Sequence, residues 1–433
     1  MKRKAYRATP VKQVDWKGLS AGREGCAVQV GFDVGKQAVL AVARWQDGRW
    51  ERPWWVNNPE EIGALVSLLQ RIGRERPLKL AMEPTGTYGD VLRQAIADAG
   101  LVLERVSAKA AHDYAEIFDG VPSQHDGKDA AVVAELAALG KSSEWRYEAS
   151  SETDQEMAYW VDWMDAQLRQ YVMWLGRLEG LVSRHWPEAT QWLELSSGTL
   201  LRALGEYGGP SKLCGDAGAA AQLAKWGGCY LKPETIRGLL DSARASVGVR
   251  QTEIDRRRMQ QYAAQAMAAR KEMARSKRRL EKLARGNAVI QAQAKAVGVA
   301  TACVLWVYLG DPSDYHCGEA YRKAMGLNLT ERSSGMYQGK LKISKRGFSQ
   351  VRRWMYFAAL RCIKAGPVAG WYQRKKAKDG EKAKRALVGV MRRLAVGLYA
   401  VGVKGAEFEP RRLFPGQRLE RGARTGKRTV CRR

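Results

Sequence analysis

From Cys26 to about Ser143, apolar positions alternate between two rhythms. Three close runs, Cys26 to Val34, Gln37 to Arg44 and Trp50 to Val56, have the short β-rich pattern of strands, and Gly35-Lys36 between the first two reads as a hairpin turn. A helix is predicted from Pro59 through about Arg74, with Glu60 and Glu61 in the first turn, where the helix dipole favours acids. A strand (Leu78 to Met82), a helix (Tyr88 to Ala99, stopped by Gly100), a strand (Leu101 to Val106) and two more helical stretches follow.

Three antiparallel strands followed by strands alternating with helices is the element order of an RNase H-like mixed sheet. Between about Ser151 and Ala296 the signal is helical. The stretch Gln251 to Leu283 sets Ile254, Met259, Tyr262, Met267, Met273, Leu280 and Leu283 among dense Arg and Lys without Gly or Pro. Such a helix predicts a coiled coil with another chain or a bridge between domains. The Gly- and Pro-containing patch Gly205 to Lys232 reads as an inserted loop. From Ala296 onward come helices at Ala300 to Leu309 and Glu319 to Met325, a polar Gly-rich loop from Gly326 to Gly347, and helices at Ser349 to Lys364 and Lys382 to Val401. The expected fold class is multidomain α/β plus all-α. An N-terminal extension (1–25), a mixed-sheet domain (26–150), a helical coiled-coil middle (151–295), a mostly helical domain (296–405) and a basic tail (406–433) make up the chain. The tail is too poor in apolar residues to order before it meets a partner.

Charge narrows the partner. The 433 residues carry 73 Lys+Arg against 45 Asp+Glu, a formal net charge of +28, and such a field concentrates polyanions. No apolar run is expected to reach the roughly 18 residues of a spanning helix, and Met1 to Pro10 has no signal-peptide core. A cytoplasmic protein without a membrane partner is the expectation. Seven cysteines (Cys26, Cys214, Cys229, Cys303, Cys317, Cys362, Cys431) form no CxxC pair and only four histidines are present, so zinc spacing is absent and reduced, packing cysteines are expected.

Four acids carry the candidate chemistry. Asp33 ends the first strand, where Gln29, Gly31 and Asp33 share a face; Glu83 ends a later strand before Pro84-Thr-Gly-Thr; Asp126 and Asp129, three apart at a helix start, point to one side. Strand ends and a neighbouring helix can bring all four to one or two Mg²⁺ ions, which take oxygen ligands and bridge phosphate oxygens. Each acid alone is compatible with a solvated or capping role, and Asp126 with capping the helix of Asp129.

A second candidate lies in Gly326-Leu-Asn-Leu-Thr-Glu-Arg-Ser-Ser-Gly335, which leads to Lys340-Leu-Lys-Ile-Ser-Lys-Arg-Gly347 and Arg352-Arg353. Small residues, hydroxyls and the cations Lys340, Lys342, Lys345, Arg346, Arg352 and Arg353 suit a phosphodiester site. Ser334 beside Gly335 can attack phosphorus and hold the strand as an ester; a basic loop that only binds backbone has the same composition.

These motifs together resemble a known family. Gly31-Phe-Asp33, Glu83-Pro-Thr-Gly-Thr-Tyr88, His125-Asp-Gly-Lys-Asp-Ala130, Ala324-Met-Gly-Leu327, Ser334-Gly335 and Ile343-Ser-Lys-Arg-Gly347 with Arg352-Arg353 are similar to the DEDD transposases of the insertion-sequence family numbered one-ten, bridge-RNA-guided serine recombinases. The resemblance implies a RuvC-like domain with Asp33, Glu83, Asp126 and Asp129 as its metal set, and Ser334 as nucleophile of a transposase domain. It further implies a covalent 5′-phosphoserine link, an element-encoded bridge RNA pairing with donor and target DNA, and a tetramer built as a dimer of dimers. The setting it implies is the bacterial cytoplasm, at the nucleoid when active. A Pro that the family carries soon after Gly-Leu is Leu329 here, and its Gly-x-Gly hairpin is Gly298-Val-Ala300.

The competing readings are a RuvC-like metal-dependent nuclease or resolvase that uses water, and a non-catalytic nucleic-acid binder on an RNase H-like scaffold. Trp54-Trp55, Trp160, Trp163, Trp174, Trp186, Trp192 and Trp226 serve either as core or as stacking platforms. Tyr88 lines the metal site or packs, His125 assists proton transfer or is a solvated neighbour, and Lys128 contacts phosphate or tempers the paired acids. The run Arg374-Lys-Lys with Lys378 and Lys382 reads as a surface facing nucleic acid.

Overall fold

The computed structural model describes residues 8–84, 86–120, 125–145, 151–331, 339 and 341–416, which divide into two compact units, Met1–Ala149 and Ser150–Arg433. Ser334 and Lys340 lie outside the described residues.

The first unit is built on the apolar strand β2 (Val28–Val34). It pairs antiparallel with β3 (Ala38–Trp45), and β3 with β4 (Trp54–Asn57). On its other side β2 runs parallel to β5 (Leu78–Met82), and β5 to β6 (Leu103–Val106). Edge pieces β1 (Thr9–Pro10) and β7 (Ser142–Glu144) complete a seven-stranded mixed sheet, in the order β1-β4-β3-β2-β5-β6-β7. The expected central strands therefore form, whereas β1 and β7, at two and three residues, are too short to show a periodicity.

Alternation along β2 divides the faces. Val28, Val30 and Phe32 join Leu65, Leu69 and Ile72 of α2 (Ile62–Glu75) in one core, which also receives Trp16 of α1 (Trp16–Ser20) and Leu92 and Ile96 of α3 (Asp90–Asp98). The opposite face meets α4 (Ala108–Asp119) and α5 (Asp126–Ala138): Ala81 and Val106 pack with Ala111, Val132, Val133 and Leu136, while Leu40 and Val42 pack with Ala130 and Ala131.

The second unit is helical. Its longest members are α6 (Glu152–His185) and, after α7 (Ala189–Trp192), α8 (Gly198–Tyr207), α9 (Pro210–Cys214), α10 (Ala219–Gly227) and α11 (Pro233–Arg244), the helix α12 (Glu253–Leu283). The two run antiparallel: Arg279 near the end of α12 forks onto Glu156 near the start of α6, at 2.5 and 2.8 Å, while at the opposite end Val249 N donates to Arg184 O at 2.8 Å. Met259, Ala263, Ala266, Ala269 and Leu280 are the buried apolar side chains of α12. Of the apolar set read from the sequence, Met259 and Leu280 are thus covered inside this chain, while Ile254 stays exposed. Small Ala side chains let the helices pack, and they gave no apolar periodicity to read.

The patch 205–232 is not a loop. Leu213, Ala219 and Leu223 are core residues of the cluster around α8, α11 and α12. Its glycines and proline punctuate helix ends: Gly208, at φ 69°, closes α8 and Pro210 opens α9.

The last helices are α13 (Ala288–Val297), α14 (Val299–Leu309), α15 (Gly318–Ala324), α16 (Ser349–Cys362), α17 (Gly366–Lys378), α18 (Ala383–Lys404) and α19 (Pro410–Leu413). Chain expected to belong to the unstructured tail is ordered through Phe414, which is buried and meets Trp371 edge-on at 5.5 Å. Among the described residues α18 is long and apolar enough to cross a membrane, contrary to the expectation from the sequence. Leu387, Val390, Met391, Leu394, Ala395 and Leu398 nevertheless sit in the core with Leu305, Tyr321 and Trp354, the placement of a central packed helix. All six described cysteines are unpaired.

Candidate active site

Two strand ends begin the site. Phe32 of β2 pairs in parallel register with Met82 of β5, so Asp33, still paired with Leu40 of β3 one residue before β2 ends, and Glu83, just past β5, stand on adjoining strands at the same level. Asp126 and Asp129 occupy the first turn of α5, where the N-terminal dipole favours acids. Gly31, two residues before Asp33 on the same face, brings this helix in: a β-carbon there would stand 2.2 Å from Ala130 O and 2.4 Å from Ala134 N. Only a glycine lets the α5 backbone lie so close to the strand. Arg44 of β3 also forms an ion pair with Glu135 of α5.

The four acids feel one another. Burial, then the charges of Asp126, Asp129 and Glu83, push the Asp33 carboxyl up to about 7. Glu83 is raised by burial and by Asp129, and Asp129 by burial and by Asp126. Asp33, Glu83 and Asp129 are half-buried and Asp126 is exposed. Like charges in a partly desolvated place disfavour full ionisation, the setting in which a hard cation is stabilising. The oxygen donors fit Mg²⁺ in chemical type, although among the described residues no three His, Cys, Asp or Glu side chains stand closely enough to hold a metal ion as they are.

The surroundings bear on several of the alternatives. His125 accepts from Lys128 N–H through Nδ1 at 3.0 Å, which makes it the N-cap of α5. The side chain of Lys128 is buried and its Nζ meets Asp119 Oδ1 at 2.6 Å, while its charge lowers the Asp129 pKa. Tyr88 is half-exposed. His112 of α4, absent from the sequence-based candidates, lies close enough to Glu83 for its charge to lower that pKa. A lone histidine on a polar helix face carried no signal to find it.

The tryptophans divide. Trp54 and Trp186 are buried, Trp174 and Trp226 pack at the edge of the helical core, Trp160 packs partly buried, and Trp55, Trp163 and Trp192 are exposed.

In the helical unit, β8 (Leu329–Thr330) and β9 (Lys342–Ile343) pair antiparallel and frame the segment that contains Ser334. Thr330 Oγ1 donates to Lys342 O at 3.2 Å. Below the ladder Ser344 N donates to Asn328 O and Lys345 N to Gly326 O, at 2.6 and 3.0 Å, and Lys345 takes φ 55°. Lys342, Lys345 and Arg346 are exposed. Arg352 and Arg353 have internal partners instead: Arg352 Nη1 donates to Gly347 O at 2.7 Å, and Arg353 Nη1 to Asp165 Oδ1 of α6 at 2.7 Å. Burial lowers the Arg352 pKa. The basic run on α17 is also partly paired, Lys375 with Asp379 and Lys376 with Glu381.

Comparison with known proteins adds function to one of these regions. Over 331 residues the chain is 23% identical to the insertion element IS110 uncharacterized 43.6 kDa protein of Streptomyces coelicolor, covering 72% of this chain and 79% of that protein. Residues 291–373, from α13 to α17, match the transposase IS116/IS110/IS902 family, so the helical unit contains a region similar to transposases.

Proposed function

We propose that this protein is a transposase that cuts and rejoins DNA during movement of an insertion sequence. In this reading the first unit is a RuvC-like domain, Asp33, Glu83, Asp126 and Asp129 hold one or two Mg²⁺ ions, and Ser334 is the nucleophile. The observation that carries it is the strand register that sets Asp33 beside Glu83, with α5 lodged against Gly31, in a chain whose residues 291–373 match a transposase family. Bound Mg²⁺ supplies charge neutralisation and polarisation of phosphate oxygens.

The chain's own residues do the rest. Ser334 Oγ forms a bond to phosphorus as the bond from phosphorus to O3′ breaks, and the proton lost by the serine balances the one gained by O3′. The products are a 5′-phosphoserine ester and a free 3′-hydroxyl, and reversal with a new 3′-hydroxyl reseals the strand. Exposed Lys342, Lys345 and Arg346 offset phosphate charge beside the Ser334 loop. Selection of donor and target belongs to an element-encoded RNA pairing with both DNAs, and a tetramer supplies the several active sites that paired exchange needs.

The test is denaturing electrophoresis of labelled DNA after reaction in Mg²⁺. Wild type is expected to yield protein covalently attached to a 5′ end, Ser334→Ala none, and Asp33→Ala a large loss of cleavage. Cleavage without an adduct in both wild type and Ser334→Ala would instead identify hydrolysis by water at the carboxylates.

A further inference from the structure

The outward face of α12 bears Lys271, Arg275, Arg278 and Lys282. Spacings of four, three and four align them in one stripe about 16 Å long at 1.5 Å per residue. Ser276 and Leu280 mark the buried side of the same turns, and all four cations are exposed. An open groove of about 470 Å³ lies beside the stripe, lined by Glu156, Trp160, Arg275, Arg278, Arg279 and Lys282.

Charge in this groove is unbalanced. Glu156 is its one acid, and it already accepts the fork from Arg279 and a bond from Trp160 Nε1 at 3.0 Å. The Arg275 guanidinium lies 5.5 Å from the centre of the Trp160 ring, and its other neighbour is Glu272, at 3.7 Å. Among the described residues no carboxylate comes within ion-pair distance of Lys271, Arg278 or Lys282. Three exposed cations held on a rigid rod without counter-charges repel one another, a cost that a polyanion removes. A second copy of this face would only add to the repulsion, and the stripe has no apolar side chain to bury against a protein.

We infer that this face of α12 is a docking track for the sugar-phosphate backbone of DNA, the polyanion that the transposase match of residues 291–373 points to, with the Arg275–Trp160 pair as a flat platform at one side. The stripe is about as long as several phosphates along one strand. The inference rests on the proposed handling of nucleic acid, but it places binding on the helical pair, away in sequence from both the acids and the serine loop.

The experiment uses the full chain carrying Lys271→Ala, Arg278→Ala and Lys282→Ala together, exposed changes that keep helix propensity. Fluorescence anisotropy follows binding of a labelled duplex DNA and, separately, a labelled stem-loop RNA across a salt series. The duplex DNA is expected to bind about tenfold or more weakly, with the slope of log affinity against log salt shallower by about 3, while the melting temperature is unchanged. A loss confined to the RNA probe would overturn the assignment to DNA. Unchanged affinity and slope on both probes, with wild type binding well, would overturn the inference and leave the proposed function standing. Failure of wild type to bind either probe would overturn both. A change only in sedimenting mass would make the stripe a subunit contact and overturn the inference.

Discussion

The carboxylate region and the basic loop are held by different kinds of interaction. Asp33, Glu83, Asp126 and Asp129 take their places from main-chain packing: two parallel strands in register, and a helix lodged against β2 where Gly31 has no side chain. Lys342 sits on a two-residue ladder, and Lys345 and Arg346 follow it, Lys345 donating to the Gly326 carbonyl. Packing of this density leaves one arrangement, which suits the proposed sharing of a cation by these acids. A short ladder has fewer constraints, which suits the proposed acceptance of a passing strand.

The sharpest way to break that comparison is to place a methyl where the packing has no room. Gly31→Ala sets a β-carbon against the α5 backbone, which cannot rotate aside as a side chain can. We expect a loss of about 3 kcal/mol in chemical denaturation, along with loss of any Mg²⁺-dependent rise in melting temperature. A stable Gly31→Ala protein with unchanged Mg²⁺ response would show that helix contact at this glycine does not position the acids.

Mutual repulsion at the acids predicts a pH dependence. In protein freed of metal by chelator, Asp33 titrates at about 7 when folded against 3.8 for an ordinary Asp. Between those values the folded chain retains a proton that the unfolded chain has lost. Stability is therefore greatest below the lower value and falls as pH rises through about 7; Glu83 and Asp129, also raised, add in the same direction. Asp33→Asn is expected to flatten this slope and to raise the melting temperature at pH 8 without metal. A melting temperature that instead climbs between pH 5 and 8 in wild type would contradict the coupling.

Much of the first unit was legible because a strand's period is short. Asp33 lies near the end of the alternating run Val28–Val34 and Glu83 follows the mostly apolar run Leu78–Met82, both short patterns that can be identified, and Asp126 with Asp129 shows a helix start. Gly31 could not be read as a contact point, because its neighbours Ala130 and Ala134 are a hundred residues away and alanines announce nothing. The same blindness hid the partner of α12: Ala263, Ala266 and Ala269 are buried there, but alanine is equally at home on a surface. Misreading 205–232 as a loop has another cause, since Gly and Pro mark helix ends as well as loops. Segment α17 was missed for that reason too, beginning at Gly366-Pro367. Arg352 and Arg353 looked alike in sequence to Arg346, and only tertiary contacts separate them.

That last distinction gives a pair of smaller effects. Arg353→Ala leaves Asp165, 2% exposed, with the exposed Arg169 as its remaining ion-pair partner, 3.1 Å away. We expect a loss of about 2 kcal/mol in the helical unit and little change in the salt dependence of nucleic-acid binding. Arg346→Ala should do the opposite: no stability change, and a salt slope shallower by about 1. Finding the two profiles exchanged would mean that Arg353 leaves Asp165 to meet phosphate.

The smallest effect tests whether the helical pair is limited by packing at all. Gly180 lies inside α6 on an exposed face, where a β-carbon would meet nothing within 4 Å. Glycine there costs backbone entropy and has no compensating close approach, so Gly180→Ala should stabilise by about 0.5 to 1 kcal/mol. The same substitution is thus expected to act with opposite signs at Gly31 and Gly180, since one glycine admits a neighbouring backbone and the other admits only solvent. Destabilisation at Gly180, read by denaturant midpoint at constant slope, would mean that this face of α6 is covered in solution, which only a contact beyond this chain's described residues can supply.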